Sequence, residues 1–173
     1  RKGQRRLLEA ASVIAEQGRD VRVVLVGKGR QERALRRKAA ALGVAVDFHV
    51  DVPWAELPER YAEFDVFAMP CKSRWFGLEV EGLGIVFLEA SASAIPVVAG
   101  DSGGAPETVI EGSTGFVVHD TDGLVRALER LADAPELRAS MGAAGRAFVE
   151  SQWTWDQVAA RLSSGLHEVV GSG

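Results

Sequence analysis

Val21-Arg22-Val23-Val24-Leu25-Val26-Gly27-Lys28-Gly29 is the stretch on which the architecture turns. A short aliphatic run closed by glycine suits a strand buried inside a parallel sheet, where both faces are covered. Residues 31–42 follow with helical character and are stopped by Gly43, and residues 45–50 form a second strand-like run. Upstream, residues 4–17 read as a helix, with Leu7, Leu8, Ala11, Ile14 and Ala15 at helical spacing and Gly18 closing it. The alternation continues downstream. Residues 53–64 read as a short helix, 65–69 as a strand stopped by Pro70, 71–84 as a loop, 85–94 as a helix and 96–99 as a strand. Asp101-Ser102-Gly103-Gly104 is a glycine-rich turn, residues 106–110 a helical stub and 115–118 the last strand. From Asp122 onward the chain is helical in three pieces, broken near Pro135 and near Gln152. This pattern predicts an α/β domain, Rossmann-like, with a parallel sheet and helices on both faces. Such a sheet is normally opened by a strand, whereas this chain opens with Arg1-Lys2-Gly3 at a helix start. The expectation is that a first strand is missing and that the polypeptide is part of something longer.

Composition narrows the function classes. At 173 residues with 47% hydrophobic side chains, the chain suits one compact domain, residues 1–173, with one sizeable core. No apolar run approaches the roughly 20 residues that cross a bilayer, and the reading is of a soluble, cytoplasmic domain. The single Cys71 excludes an internal disulfide, and His49, His119 and His167 have no metal-ligand spacing. The net charge of −4 hides an asymmetry, with twelve Lys/Arg against four Asp/Glu in residues 1–43. A solvated helix face explains that basic quarter more simply than nucleic acid does.

The densest chemical signal is Glu81-Gly82-Leu83-Gly84-Ile85-Val86-Phe87-Leu88-Glu89, two carboxylates bracketing a loop-to-helix junction. Glycines let the backbone approach a ligand, and the free N–H groups of a first helical turn form an anion site. A diphosphate fits at residues 82–86, with Glu81 beyond it and Glu89 able to reach hydroxyls such as those of a ribose. Spacing alone leaves a second reading equally open, in which Glu89 is a solvent-exposed helix residue and Glu81 a favourable acid beside a helix N-terminus. Glu79, Glu81 and Asp101 suggest a divalent site only weakly, and no metal or cofactor is expected. Cys71 has no histidine near it in sequence and reads as structural.

The surrounding residues add a resemblance. E-x7-E within EGLGIVFLEA, followed by PVVAGDSGGAPETV and an EGSTGFVV strand, is similar to the donor-binding, C-terminal domain of family 4 retaining glycosyltransferases, which have the GT-B fold. The likeness runs over nearly the whole chain. It implies that Glu81 contacts the transferred sugar as the catalytic acid, that Glu89 contacts the ribose, and that Lys2 of Lys2-Gly3 binds the diphosphate. The donor-binding set it implies is Lys2, Gly27, Gly29, Val52, Gly82, Leu83, Gly84, Ile85, Val86 and Glu89. Gly27 and Gly29 lack the third glycine of a dinucleotide fingerprint. Val52 sits where such enzymes present backbone to the base, although an ordinary strand-to-helix turn is equally plausible.

The loop that ends Gly77-Leu78-Glu79-Val80-Glu81-Gly82 is most similar to actinobacterial phosphatidylinositol-monomannoside mannosyltransferases using GDP-mannose. In the same loop Lys72 and Arg74 are candidates to assist the phosphates, and Trp75 with Phe76 reads as a packing pair. The resemblance implies GDP-mannose as donor substrate, a phosphatidylinositol mannoside acceptor held by an N-terminal domain absent from this chain, peripheral membrane contact at the inner face of the plasma membrane, and no transferase activity in this polypeptide alone. The alternatives are a UDP-sugar enzyme of the same fold and a noncatalytic α/β nucleotide-binding module. Trp153, Trp155 and Val158 are expected exposed or repacked, because the last helix of such proteins crosses back to the other domain.

Overall fold

Helix and strand alternate in the order that the apolar pattern predicts. The computed structural model describes residues 2–73 and 78–171. Helix α1 (Gln4–Glu16) leads to β1 (Arg22–Val26), α2 (Glu32–Leu42) and β2 (Ala45–His49). Then come α3 (Leu57–Tyr61), β3 (Phe67–Met69), α4 (Ile85–Ala92), β4 (Val97–Gly100) and β5 (Gly115–Val118). The chain closes with α5 (Thr121–Asp133), α6 (Pro135–Gln152) and α7 (Trp155–Gly171). The expected helix over residues 53–64 is divided instead into a 3-10 turn, Trp54–Glu56, and the short α3. Pro58, near the start of α3, has no N–H to bond back to Trp54, so one continuous helix cannot form there. Arg74, Trp75 and Phe76 lie outside the described residues.

All strand pairs are parallel, but they form two sheets, β1-β2 and β3-β4-β5. Between the sheets runs a cavity of about 1260 Å³, lined by all of β1 and all of β3. Successive strand residues point to opposite faces, so a lining that takes consecutive residues is presented by a strand's edge. Each of β1 and β3 therefore pairs through one edge and turns the other to the cavity. Leu7, Ala11 and Ile14 of α1 line it from one side, and α1 packs on α2 and on α5. Arg19, just after α1, forks onto both carboxylate oxygens of Asp133 at 2.8 and 2.7 Å. The first helix is thus the strut that holds the two sheets in one body.

Three apolar clusters form the core, centred on Leu8 with Leu35, on Phe87 with Val97, and on Leu124 with Leu131. Within α5 the buried residues Leu124, Ala127 and Leu131 make one stripe. That helix starts where Asp120 accepts a hydrogen bond from the Gly123 N–H at 2.7 Å, a side-chain cap worth about 1 kcal/mol. At the other end of the chain Trp155 is 86% exposed, whereas Trp153 is half-buried, edge-on to Phe148 and under the Arg161 guanidinium. Among the described residues no helix is long and apolar enough to cross a membrane.

Candidate functional site

The C-terminal ends of β3 and β4 meet where the loop into α4 begins, and glycine makes their approach possible. A Cβ on Gly100 would lie 1.9 Å from the Cys71 carbonyl oxygen, and one on Gly3 would lie 2.2 Å from that of Pro70. Gly3 has φ +83, so the chain turns there in the left-handed region and delivers Lys2 beside the loop. Lys2 Nζ donates to Glu81 Oε1 at 2.8 Å. Glu81 is only 6% exposed, so this contact ties α1's start to a nearly buried carboxylate far away in sequence.

The backbone around Glu81 is held as firmly as its side chain. Its N–H donates to Ser102 Oγ at 3.1 Å, and the Gly104 N–H donates to the Gly82 carbonyl at 2.9 Å. A Cβ on Gly103, which has φ +57, would fall 1.8 Å from the Glu81 carbonyl oxygen. The turn at residues 101–104, read from sequence as a glycine-rich turn only, is the support on which Glu81 and Gly82 rest. Gly84 follows with φ +75 and caps α4, where Ile85 is exposed and Val86 half-buried. Three N–H groups of a helix's first turn have no intrahelical partner, so the segment Gly82, Leu83, Gly84, Ile85 and Val86 offers an anion a set of donors and a positive dipole end.

One turn further along α4, Glu89 accepts a hydrogen bond from the Tyr61 hydroxyl at 2.8 Å. Lys2, Gly27, Val52, Val86 and Glu89 all line the inter-sheet cavity. Glu81 joins them through Lys2, while Gly29 and residues 82–85 lie outside its lining. Gly27, with φ +119, ends β1 by donating its N–H to the His49 carbonyl at 2.9 Å. Beside it Lys28 pairs with Asp51 at 3.2 Å across the mouth of the first sheet. Lys2, Val86 and Glu89 thus reach the cavity itself, and Glu81 is bound to its wall through Lys2. Cys71 adds no nucleophile, since burial pushes its thiol up from the usual range.

Tyr61 is the site residue that sequence reading passed over. Burial lifts its phenol above the usual value, and the hydrogen bond to Glu89 lifts it further. The unfolded chain loses that proton near pH 10, before the folded chain does. Stability is therefore complete below about pH 10 and falls above it, by up to about 1.4 kcal/mol per pH unit. Urea unfolding at about pH 9 and about pH 11 checks this: Tyr61→Phe is expected to remove part of the loss seen in the parent chain, and equal losses would refute the assignment.

Residues 1–148 match the family model described as glycosyl transferases group 1. The chain belongs to the group 1 glycosyl transferases. Among its curated relatives, the GDP-mannose-dependent alpha-(1-6)-phosphatidylinositol monomannoside mannosyltransferase of Mycolicibacterium smegmatis is 48% identical over 167 residues, 94% of this chain and 44% of that protein. The GDP-mannose-dependent monoacylated alpha-(1-6)-phosphatidylinositol monomannoside mannosyltransferase of Corynebacterium glutamicum is 46% identical, over 95% of this chain and 43% of its own length. This group 1 chain therefore spans less than half the length of these relatives. In fold it matches the C-terminal domain of a glycosyl transferase group 1 family protein (LpcC) from Francisella tularensis, with a TM-score of 0.74 and 24% identity over 89% of this chain and 80% of that one. The α/β class and the C-terminal GT-B architecture expected from sequence both hold for this group 1 domain.

Proposed function

We propose that this domain binds GDP-mannose and supplies the mannosyl group that a retaining glycosyltransferase passes to a phosphatidylinositol mannoside. The observation that carries the reading is the contact of Lys2 with the buried Glu81, at the loop that leads into the α4 N-terminus, in a chain close in sequence to mannosyltransferases of that kind. In this reading the diphosphate lies against residues 82–86 and Lys2, which stabilise it as leaving group without a metal. Glu81 orients the sugar. The bond from the anomeric carbon to phosphate breaks as the acceptor oxygen bonds to the same face, and the departing phosphate takes the acceptor's proton. Glu89 binds the ribose, and the backbone at Val52 meets the base, with Gly27 and Gly29 leaving room at the end of β1.

The acceptor belongs to a second domain of the enzyme, which works in peripheral contact with the inner face of the plasma membrane. A further parallel strand of the same polypeptide fills the inter-sheet cavity, where two unpaired strand edges run alongside one another. The relatives' greater length supports both assignments.

The test is calorimetric binding of GDP, GDP-mannose, UDP and ADP to the full-length enzyme that carries this domain, repeated with Lys2→Ala and Glu89→Ala. We expect GDP and GDP-mannose to be preferred, and each substitution to weaken them about tenfold or more, as befits lost hydrogen bonds to charged groups. A preference for UDP would move the assignment to another nucleotide sugar. Indifference to both substitutions would remove it.

A further inference from the structure

Tyr61 ends α3 and lines the inter-sheet cavity, and its ring is held on two sides. Phe64 meets it edge-on at 6.0 Å between centroids, Phe67 lies against it at 5.8 Å, and Phe67 in turn packs edge-on to Phe87. A ring so enclosed has one orientation, so its hydroxyl is fixed in space. That hydroxyl sits 2.8 Å from Glu89 Oε2 and 3.5 Å from the Val86 carbonyl oxygen, both of them acceptors, and its proton goes to the nearer one. Among the described residues Glu89 Oε2 accepts only this hydrogen bond and Oε1 accepts none. A free glutamate side chain loses considerable rotamer freedom when a ligand fixes it, and one already fixed does not.

Resting on the reading of Glu89 as the ribose-binding acid, we propose that Tyr61 is its positioning residue. The phenol holds Oε2 and so fixes the carboxylate in place before the ribose arrives. Tyr61 thereby presents the Glu89 carboxylate to the ribose hydroxyls in one preset orientation.

The experiment is calorimetry with GDP and its two singly deoxygenated ribose analogues on the full-length enzyme that carries this domain, its Tyr61→Phe and its Glu89→Ala variants. Tyr61→Phe keeps the ring and its packing, so the variant folds. In the parent, loss of either ribose hydroxyl is expected to weaken binding about tenfold. In Tyr61→Phe, GDP should bind about five- to tenfold more weakly and the singly deoxygenated analogues only about twofold more weakly.

Equal weakening of all three ligands by Tyr61→Phe would show a purely structural role and overturn the proposal. So would unchanged binding in Tyr61→Phe where Glu89→Ala weakens GDP, which leaves the ribose reading standing. Unchanged GDP binding in Glu89→Ala, or none in the parent, would overturn the ribose reading and the proposal together.

Discussion

A methyl group on Gly103 is expected to destabilise the domain by about 3–5 kcal/mol and to abolish nucleotide-sugar binding with it. Two costs add at this position. With φ +57 the backbone lies in the left-handed region, which costs an alanine roughly 1–2 kcal/mol. The new Cβ would also fall 1.8 Å from the Glu81 carbonyl oxygen, so one of the two segments must move. Either movement breaks the hydrogen bonds that seat residues 81 and 82 on Ser102 and Gly104. In thermal unfolding the loss corresponds to a drop of about 10 °C. Gly18→Ala is the control, since Gly18 has φ +86 and nothing within 4 Å of its would-be Cβ; it should cost about 1–2 kcal/mol and leave binding intact. Similar stability for the two variants would mean that close approach at Gly103 does not hold Glu81 in place.

Glu81→Gln is expected to lower sugar transfer about a hundred- to a thousandfold while leaving GDP affinity within about threefold of the parent. The side chain is nearly isosteric, and its place in the fold is fixed through its backbone N–H and the Ser102 hydroxyl, so the variant keeps its structure. What it loses is the negative charge that faces Lys2 at 2.8 Å and, in our reading, the sugar beyond. The assay uses the enzyme that carries this domain together with its acceptor domain, with GDP-mannose and a phosphatidylinositol mannoside. A parallel loss of GDP affinity would reassign Glu81 to holding Lys2 for the diphosphate, and unimpaired transfer would remove it from the reaction.

The strand-helix-strand reading of residues 21–50 held because a short aliphatic run and a glycine stop are local signals, and β1, α2 and β2 form within a few residues of their expected limits. Glu81 and Glu89 stood out for the same reason, since both lie in one glycine-marked stretch. What stayed hidden depends on separation along the chain. Nothing near Gly103 says that it packs on Glu81, and nothing in residues 53–64 says that Tyr61 reaches Glu89. The division into two sheets was equally hidden, because runs of similar composition give no sign of which strand edges find a partner.

The grouping of the core into separate apolar clusters has a consequence for how such a domain can diverge. Gly27 and the Val52 turn stand at the ends of the first sheet, whereas Glu81 and Glu89 belong to the loop and helix that follow β3 in the second, and α1 joins the two. The part that in our reading meets the base and the part that in our reading handles the sugar therefore have separate cores, centred on Leu8 with Leu35 and on Phe87 with Val97. Substitutions beneath one need not be felt beneath the other. A lineage built on this plan can exchange its nucleotide while inheriting its transfer chemistry unchanged.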